Sequence, residues 1–306
     1  MHRSGGKIMG KVDKREAVVG YLFISPWIVG FLVFLLGPLL IALYVGMTDW
    51  DLLTPAEWIG GDNYARLLQD KLFWKSLQVT TLYVVTAVPL GIAFGFAIAL
   101  LLNRKVKGLS MWRTIYYFPA ILSGVAVSLM WMWVLNPDFG VINLLLSYVG
   151  IEGPGWIASP TWALPSLVIM SLWGAGGGMI IYLAGLQGIP TELYEAAEID
   201  GCGRWRKLWQ ITVPMMTPVI FFNLIMGMIG AFQTFTEAYV ITKGGPDNAT
   251  LFYAMYLYQN AFKFFKMGYA SALAWVLFLI ILLVTLFVFA TSRRWVYYTA
   301  GEENRL

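Results

Sequence analysis

The sequence predicts an all-α integral membrane protein with six transmembrane helices. Composition is the first reason: of 306 residues, 59% are hydrophobic and only 12% charged, whereas a soluble domain carries about 25% charged residues to cover its surface. The second is that six long stretches are free of Lys and Arg. The third is that the remaining Lys and Arg gather on alternate connections between those stretches, as the positive-inside rule requires.

The stretches run over residues 17–48, 76–102, 114–135, 162–186, 215–241 and 270–291. Each can supply the roughly 20 apolar residues that cross a hydrocarbon core. Glu237 is the only formal charge within them. Prolines 26, 38, 89, 119, 165 and 218 interrupt several, which membrane helices tolerate when neighbours satisfy the freed backbone groups. The first stretch is too long for a secretory signal and no small-residue cleavage site follows it, so it reads as an uncleaved anchor.

Charge then sets orientation. The N-terminal tail, the connections at 103–113 and 187–214 and the C-terminal tail together hold 15 Lys and Arg; the other connections hold 6. Both termini are therefore expected in the cytoplasm, at the inner membrane of a prokaryote, in a multi-pass protein. Residues 1–16 read as a cytoplasmic tail, 17–291 as one six-helix membrane domain, and 292–306 as a second cytoplasmic tail. The outside segments 49–75, 136–160 and 242–269 are expected to be loops with short helices at most. Trp50, Trp156, Trp295, Tyr297 and Tyr298 suit an interfacial belt in contact with membrane lipid.

Several chemistries drop out. Cys202 and His2 are the only residues of their kind, leaving no His/Cys metal cluster and no buried catalytic base; no catalytic residue, metal site or enzymatic activity is expected. The net charge of +4 follows from orientation and calls for no nucleic-acid partner. Gly5 to Lys11 has the Gly and Lys spacing of a phosphate-binding loop, but Val12 replaces its Ser/Thr and no buried strand precedes it. Asp49-Trp50-Asp51 mimics a metal-binding acid pair and reads better as a solvated loop start. Asn248-Ala-Thr250 is a glycosylation sequon by pattern only. The aromatics of 252–265 read mainly as an interfacial segment.

The connection 187–214 carries the functional signal. Pro190 and Thr191 suit a helix start, with Thr191 the expected N-cap. Glu192 and Glu195 lie where the helix dipole favours negative charge. Leu193, Ala196, Ala197 and Ile199 give small apolar surface, and Gly201 suits the left-handed position that ends a helix. A short capped helix between two spans is a natural lever, although a loop helix lying on the membrane surface would look the same.

Glu195-Ala196-Ala197, then Gly201, nine residues, and Ile211-Thr212-Val213-Pro214 resemble the EAA signature of ABC-importer permeases. Only Val213 departs, standing where Leu is usual. The surrounding 183–201, the 58–68 loop, and the 232–235, 239–246 and 265–273 stretches resemble the carbohydrate-uptake branch, of maltose and glycerol-phosphate permease type; Lys243 stands where that branch usually has Gly. The resemblance implies a type I importer permease fold with a cytoplasmic coupling helix. It implies that Glu195, Ala196, Ala197, Asp200, Gly201 and Pro214 couple the chain to a separate ATPase, expected as a homodimer. It also implies a second homologous permease and an extracytoplasmic solute-binding protein. No cofactor is expected in this chain; ATP and Mg belong on the ATPase. The activity implied is translocation of a sugar or sugar-like solute by alternating access.

Two spans bear on the substrate path. On the fourth, Gly174 and Gly178 make a close-packing face, or their bare backbone lines a cavity near Trp173. On the fifth, at 100° per residue, Asn223, Gly227, Gly230, Thr234 and Glu237 fall within about 40° of one line, with Gln233 at about −80°. That stripe either packs on another helix or lines the pathway, where Asn223, Gln233, Thr234 and Glu237 would bond sugar hydroxyls. Two other classes compete. A stand-alone secondary transporter or channel would need ion-coupling groups in the membrane, and only Glu237 is available. A membrane glycosyltransferase built on Asp49 and Asp51 lacks a base.

Overall fold

The computed structural model describes residues 14–104 and 107–297. The 5–11 glycine–lysine run, His2, Lys105, Tyr298 and Arg305 lie outside the described residues, and with them the phosphate-loop expectation and most of both tails.

The first span, Glu16–Gly46, comprises α1 (Lys14–Phe31), a π-helical turn at Leu32–Leu36 and α2 (Gly37–Gly46). A two-residue hairpin follows, β1 (Thr48–Asp49) against β2 (Glu57–Trp58), and then α3 (Asp62–Gln69). The second span is the 32-residue α4 (Lys71–Leu102), which begins before the expected 76. Asp70 starts it by accepting the Leu72 amide at 2.9 Å.

The third and fourth stretches are not straight helices. α5 (Leu109–Ile121) and α6 (Gly124–Val134) meet at 99°, and α8 (Ala163–Trp173) and α9 (Gly176–Gln187) meet at 47°. Between those pairs lies α7 (Val141–Tyr148), stapled by Asn143, which donates to the Pro137 and Pro154 carbonyls and accepts the Trp156 indole N–H. Among the described residues four helices are thus long and apolar enough to cross a membrane, and six spans result if each bent pair counts as one.

After α9 come the short α10 (Thr191–Ile199) and α11 (Arg204–Lys207). A π-helical turn at Leu208–Thr212 leads into α12 (Val213–Phe232). The fifth stretch does not run to 241 as one helix: α12 stops at Phe232, and a separate π-helical turn covers Ala238–Thr242. α13 (Tyr253–Tyr258) and the last span, α14 (Met267–Ser292), complete the chain.

α4 is the hub, packing on α8, α9, α12 and α13. One core, around Leu67, Tyr83, Leu167, Phe232 and Tyr253, fills the half nearer the α4 start. A second, around Ala99, Met179, Tyr182 and Met216, fills the other half. Phe252 and Tyr253 belong to the first core and are fully buried, so the 252–265 segment is less interfacial than its composition implies. The outer surface is apolar instead, with Phe23 and Phe34 each more than 80% exposed. A helix surface of that kind stands in lipid, not water.

Candidate functional site

The first site is the connection around α10. Its helix begins one residue before the position expected from a Thr cap: Thr191 is already helical, and Pro190, extended at ψ 131°, is the N-cap. No side chain caps it. The other end closes on backbone alone. The Cys202 amide reaches the Ala197 carbonyl at 2.8 Å and the Gly201 amide reaches Glu198 at 3.0 Å, a left-handed termination with Gly201 at φ +73°. Nothing lies within 4 Å of where a Gly201 Cβ would stand, so only the backbone angle demands glycine there.

α10 is held by few anchors. Ala197 is buried and the Tyr194 hydroxyl bonds the Thr212 hydroxyl at 2.9 Å, joining the short helix to the start of α12. Lys207 pairs with Glu198 and holds that carboxyl below its usual value. Glu195, Ala196, Asp200 and Gly201 face solvent, and Pro214 is half-buried in the first turn of α12. Ile199 is 88% exposed, with Leu193, Trp205 and Trp209 also exposed nearby.

The second site is a cavity of about 510 Å³ where α4, the α8–α9 bend and α12 meet. Asn223, Gly227 and Gly230 line it from α12. The Asn223 amide N–H donates to Val219 at 2.9 Å, leaving its carbonyl oxygen on the side of Gly178. Ser171, Gly174, Ala175 and Gly178 line it from the bend, where the Gly177 and Gly178 amides bond three residues back, to Gly174 and Ala175. Such irregular backbone is tolerated at membrane depth only where protein or a cavity receives it. Tyr83 and Gly91 close it from α4, and Tyr182 from α9. No lining residue carries a formal charge.

The structure sorts the candidate pathway residues. Asn223 and Thr234 line the cavity; Gln233, Glu237 and Trp173 do not. The angular projection fails beyond Phe232 because the helix ends there: Gln233 is the exposed C-cap and Thr234 arrives by the non-helical turn after it. Glu237 is half-buried on the next turn, and Trp173 packs edge-on against Trp131 with ring centroids 6.2 Å apart. The Gly174–Gly178 face serves the cavity. Gly227 has both roles, since its Cβ would stand 3.2 Å from Val88 while the residue lines the cavity. Tyr83 and Tyr182 were not expected; a tyrosine deep in an apolar span was the available signal.

Other candidates are absorbed by structure. The Asp51 carboxylate accepts from the Leu53 and Thr54 amides and the Thr54 hydroxyl, which hold its carboxyl below the usual range. Oδ1 of Asp51 thereby closes a turn at the start of the loop. No cluster of three or more metal-ligating side chains exists among the described residues.

Residues 87–297 match the family of binding-protein-dependent transport system inner membrane components. The chain belongs to that family. It is 47% identical over 295 residues to the probable ABC transporter permease protein YesP of Bacillus subtilis, covering 95% of each chain. It is 36% identical over 287 residues to the lactose transport system permease protein LacF of Rhizobium radiobacter, covering 90% of this chain and 94% of that one. Its fold matches a chain of the bacterial alginate ABC transporter, solved in complex with an alginate pentasaccharide-bound periplasmic protein. That match has a TM-score of 0.81 at 25% identity, over 94% of this chain and 98% of the other. This permease is accordingly a multi-pass, type I membrane subunit of a binding-protein-dependent ABC importer, and the stand-alone transporter reading is set aside. The bent pairs α5–α6 and α8–α9 then count as single spans.

Proposed function

We propose that this permease carries a carbohydrate through the cavity between α4, α8–α9 and α12. The observation that carries the reading is the lining itself. It offers an amide at Asn223, hydroxyls at Tyr83, Ser171 and Thr234, bare glycine backbone and no formal charge. Uncharged donors and acceptors beside an aromatic ring suit a neutral polyol, whose hydroxyls need partners once desolvated. The lactose system among its relatives supports a neutral sugar; the alginate system, which carries an acidic polysaccharide, supports only carbohydrate as the broader class.

The remaining parts follow from the family reading. α10 is the coupling helix: exposed Glu195, Ala196, Asp200 and Gly201, with the nearby Ile199, enter a cleft of a separate ATPase, which binds ATP and Mg. Pro214, at the start of α12, and the Tyr194–Thr212 bond pass its movement to the span that carries Asn223. Both termini lie in the cytoplasm, a second permease completes the pore, and a solute-binding protein delivers substrate from outside. Gln233, Glu237 and Trp173 flank the path and act before or after the cavity.

Reconstitution tests this. Liposomes holding the two permeases and the ATPase should accumulate sugar only with ATP and the binding protein, and liposomes holding this chain alone should carry none. Sugar flux through the chain alone would overturn the reading. Calorimetry of the cognate binding protein against a sugar panel names the substrate.

A further inference from the structure

A second cavity, of about 570 Å³, lies on the opposite side of α4 from the central one, between α4 and α8. It is a groove with a polar end and an apolar shaft. On α4 its wall runs Lys75, Gln78, Val79, Leu82, Thr86, Leu90, the three-and-four spacing of a single helix face. On the other side it is Thr161, just before α8, and Leu164, Pro165, Val168 and Ile169 of α8 itself. Leu82, Leu90 and Ile169 are each more than 40% exposed although they sit mid-span, so the groove opens towards the bilayer and not into the protein.

Its polarity is graded along its length. Lys75 and Gln78 stand at one end, beside Trp74 and Trp162, which are exposed at the level where indoles mark the membrane interface. Below them the wall is aliphatic. Thr86, the only hydroxyl deep on the α4 side, already donates to the Leu82 carbonyl at 2.7 Å and asks for no partner. From Lys75 to Leu90 the helix rises about 22 Å, which matches one leaflet, about 15 Å of hydrocarbon, together with its headgroup layer. Among the described residues Lys75 has no carboxylate partner, since the one ion pair is Lys207 with Glu198.

We propose that this groove binds a single anionic phospholipid from the leaflet on the Lys75 side. The Lys75 ammonium and Gln78 amide hold its phosphate, and an acyl chain lies along Leu82, Leu90 and Ile169. Charge complementarity decides for a lipid over a helix of a second subunit: a partner helix would leave the Lys75 cation facing an apolar surface, whereas an anionic headgroup neutralises it at the interface and leaves the tail in lipid.

The test uses the whole transporter, purified in mild detergent and exchanged into nanodiscs of equal phosphatidylglycerol and phosphatidylcholine. Native mass spectrometry should show one phosphatidylglycerol retained in preference. Lys75→Gln should lower that preference about fivefold, the factor one lysine is worth near an anionic surface, and Lys75→Arg should keep it. Gln78→Glu, placing a negative charge at the same height, should lower it too. Leu82→Trp, which fills the shaft, should reduce retention of both lipids. Equal retention of the two lipids by the native protein, or unchanged preference in Lys75→Gln and Gln78→Glu, would overturn the proposal. So would efficient cross-linking of Leu82→Cys to another subunit, which would make the groove a protein interface.

Discussion

The loop around α10 and the central cavity use glycine in opposite ways. At Gly201 a Cβ would meet nothing within 4 Å, and the residue is glycine because φ is +73°. At Gly176, the first residue of α9 beside the cavity, a Cβ would run into the Tyr116 carbonyl of α5; there φ is ordinary and the neighbour decides. The loop is built from contiguous residues and leaves apolar side chains such as Ile199 and Trp205 exposed. The cavity is built from three distant segments and turns its polar groups inward. One site is a local shape and the other is a tertiary packing result, so substitutions at the two should fail in different ways.

The largest effect should come from Gly176→Val. Overpacking against fixed backbone costs about 1–3 kcal/mol or more, and membrane yield and the detergent melting temperature should both collapse. If Gly176→Val melts normally, the close approach of α5 and α9 is not a structural requirement. Gly201→Val should do the reverse. Backbone strain of about 1–3 kcal/mol falls on an exposed turn, so the protein should reach the membrane while uptake drops at least tenfold and ATP hydrolysis loses its dependence on loaded binding protein. Normal uptake at normal expression would remove Gly201 from the coupling role.

Smaller effects should come from the cavity. Asn223→Leu and Thr234→Val each remove one hydrogen-bonding group, about 0.5–1.5 kcal/mol, so uptake should fall roughly threefold to tenfold with stability unchanged. A water-soluble thiol reagent should label Asn223→Cys and Thr234→Cys but not Leu224→Cys or Met228→Cys, which belong to the apolar side. Equal labelling of both sets would retire the pathway.

The smallest effect concerns Asp70, which joins the start of α4 to α13 and α14 by accepting from the Tyr256 and Tyr269 hydroxyls. Burial alone would raise its carboxyl pKa, but the two tyrosines and the Leu72 and Phe73 amides outweigh burial and hold it below the reference 3.8. A depressed carboxylate contributes stability above its unfolded pKa and loses it as pH falls through the folded one. Melting temperature should therefore be flat above about pH 5 and fall below the ordinary Asp range. Asp70→Asn should show a weaker acid-side fall, and an identical pH profile would deny Asp70 that role.

Much of this molecule was legible without coordinates because its signals are local. Span existence follows from hydropathy, since lipid cannot solvate a backbone that is not helical. The left-handed turn at Gly201 follows from residue type, since its conformation depends on no neighbour. Helix continuity was not legible. Residues 215–241 read as one apolar run, yet α12 ends at Phe232, and that break sent Gln233 outward and brought Thr234 to the cavity by another route. Pro119 and the glycines from Gly174 permit the 99° bend at Leu122–Ser123 and the 47° bend at Gly174–Ala175, but composition does not set their angles, because a bend is tolerated only when a neighbouring helix or a cavity receives the freed backbone groups. The sequence by itself determined the membrane class, the six apolar stretches and the left-handed turn at Gly201. The tertiary structure decided which polar groups share a cavity: Tyr83 and Ser171 join Asn223 and Thr234 there, and only the packing of α8, α9 and α12 around α4 brings them together.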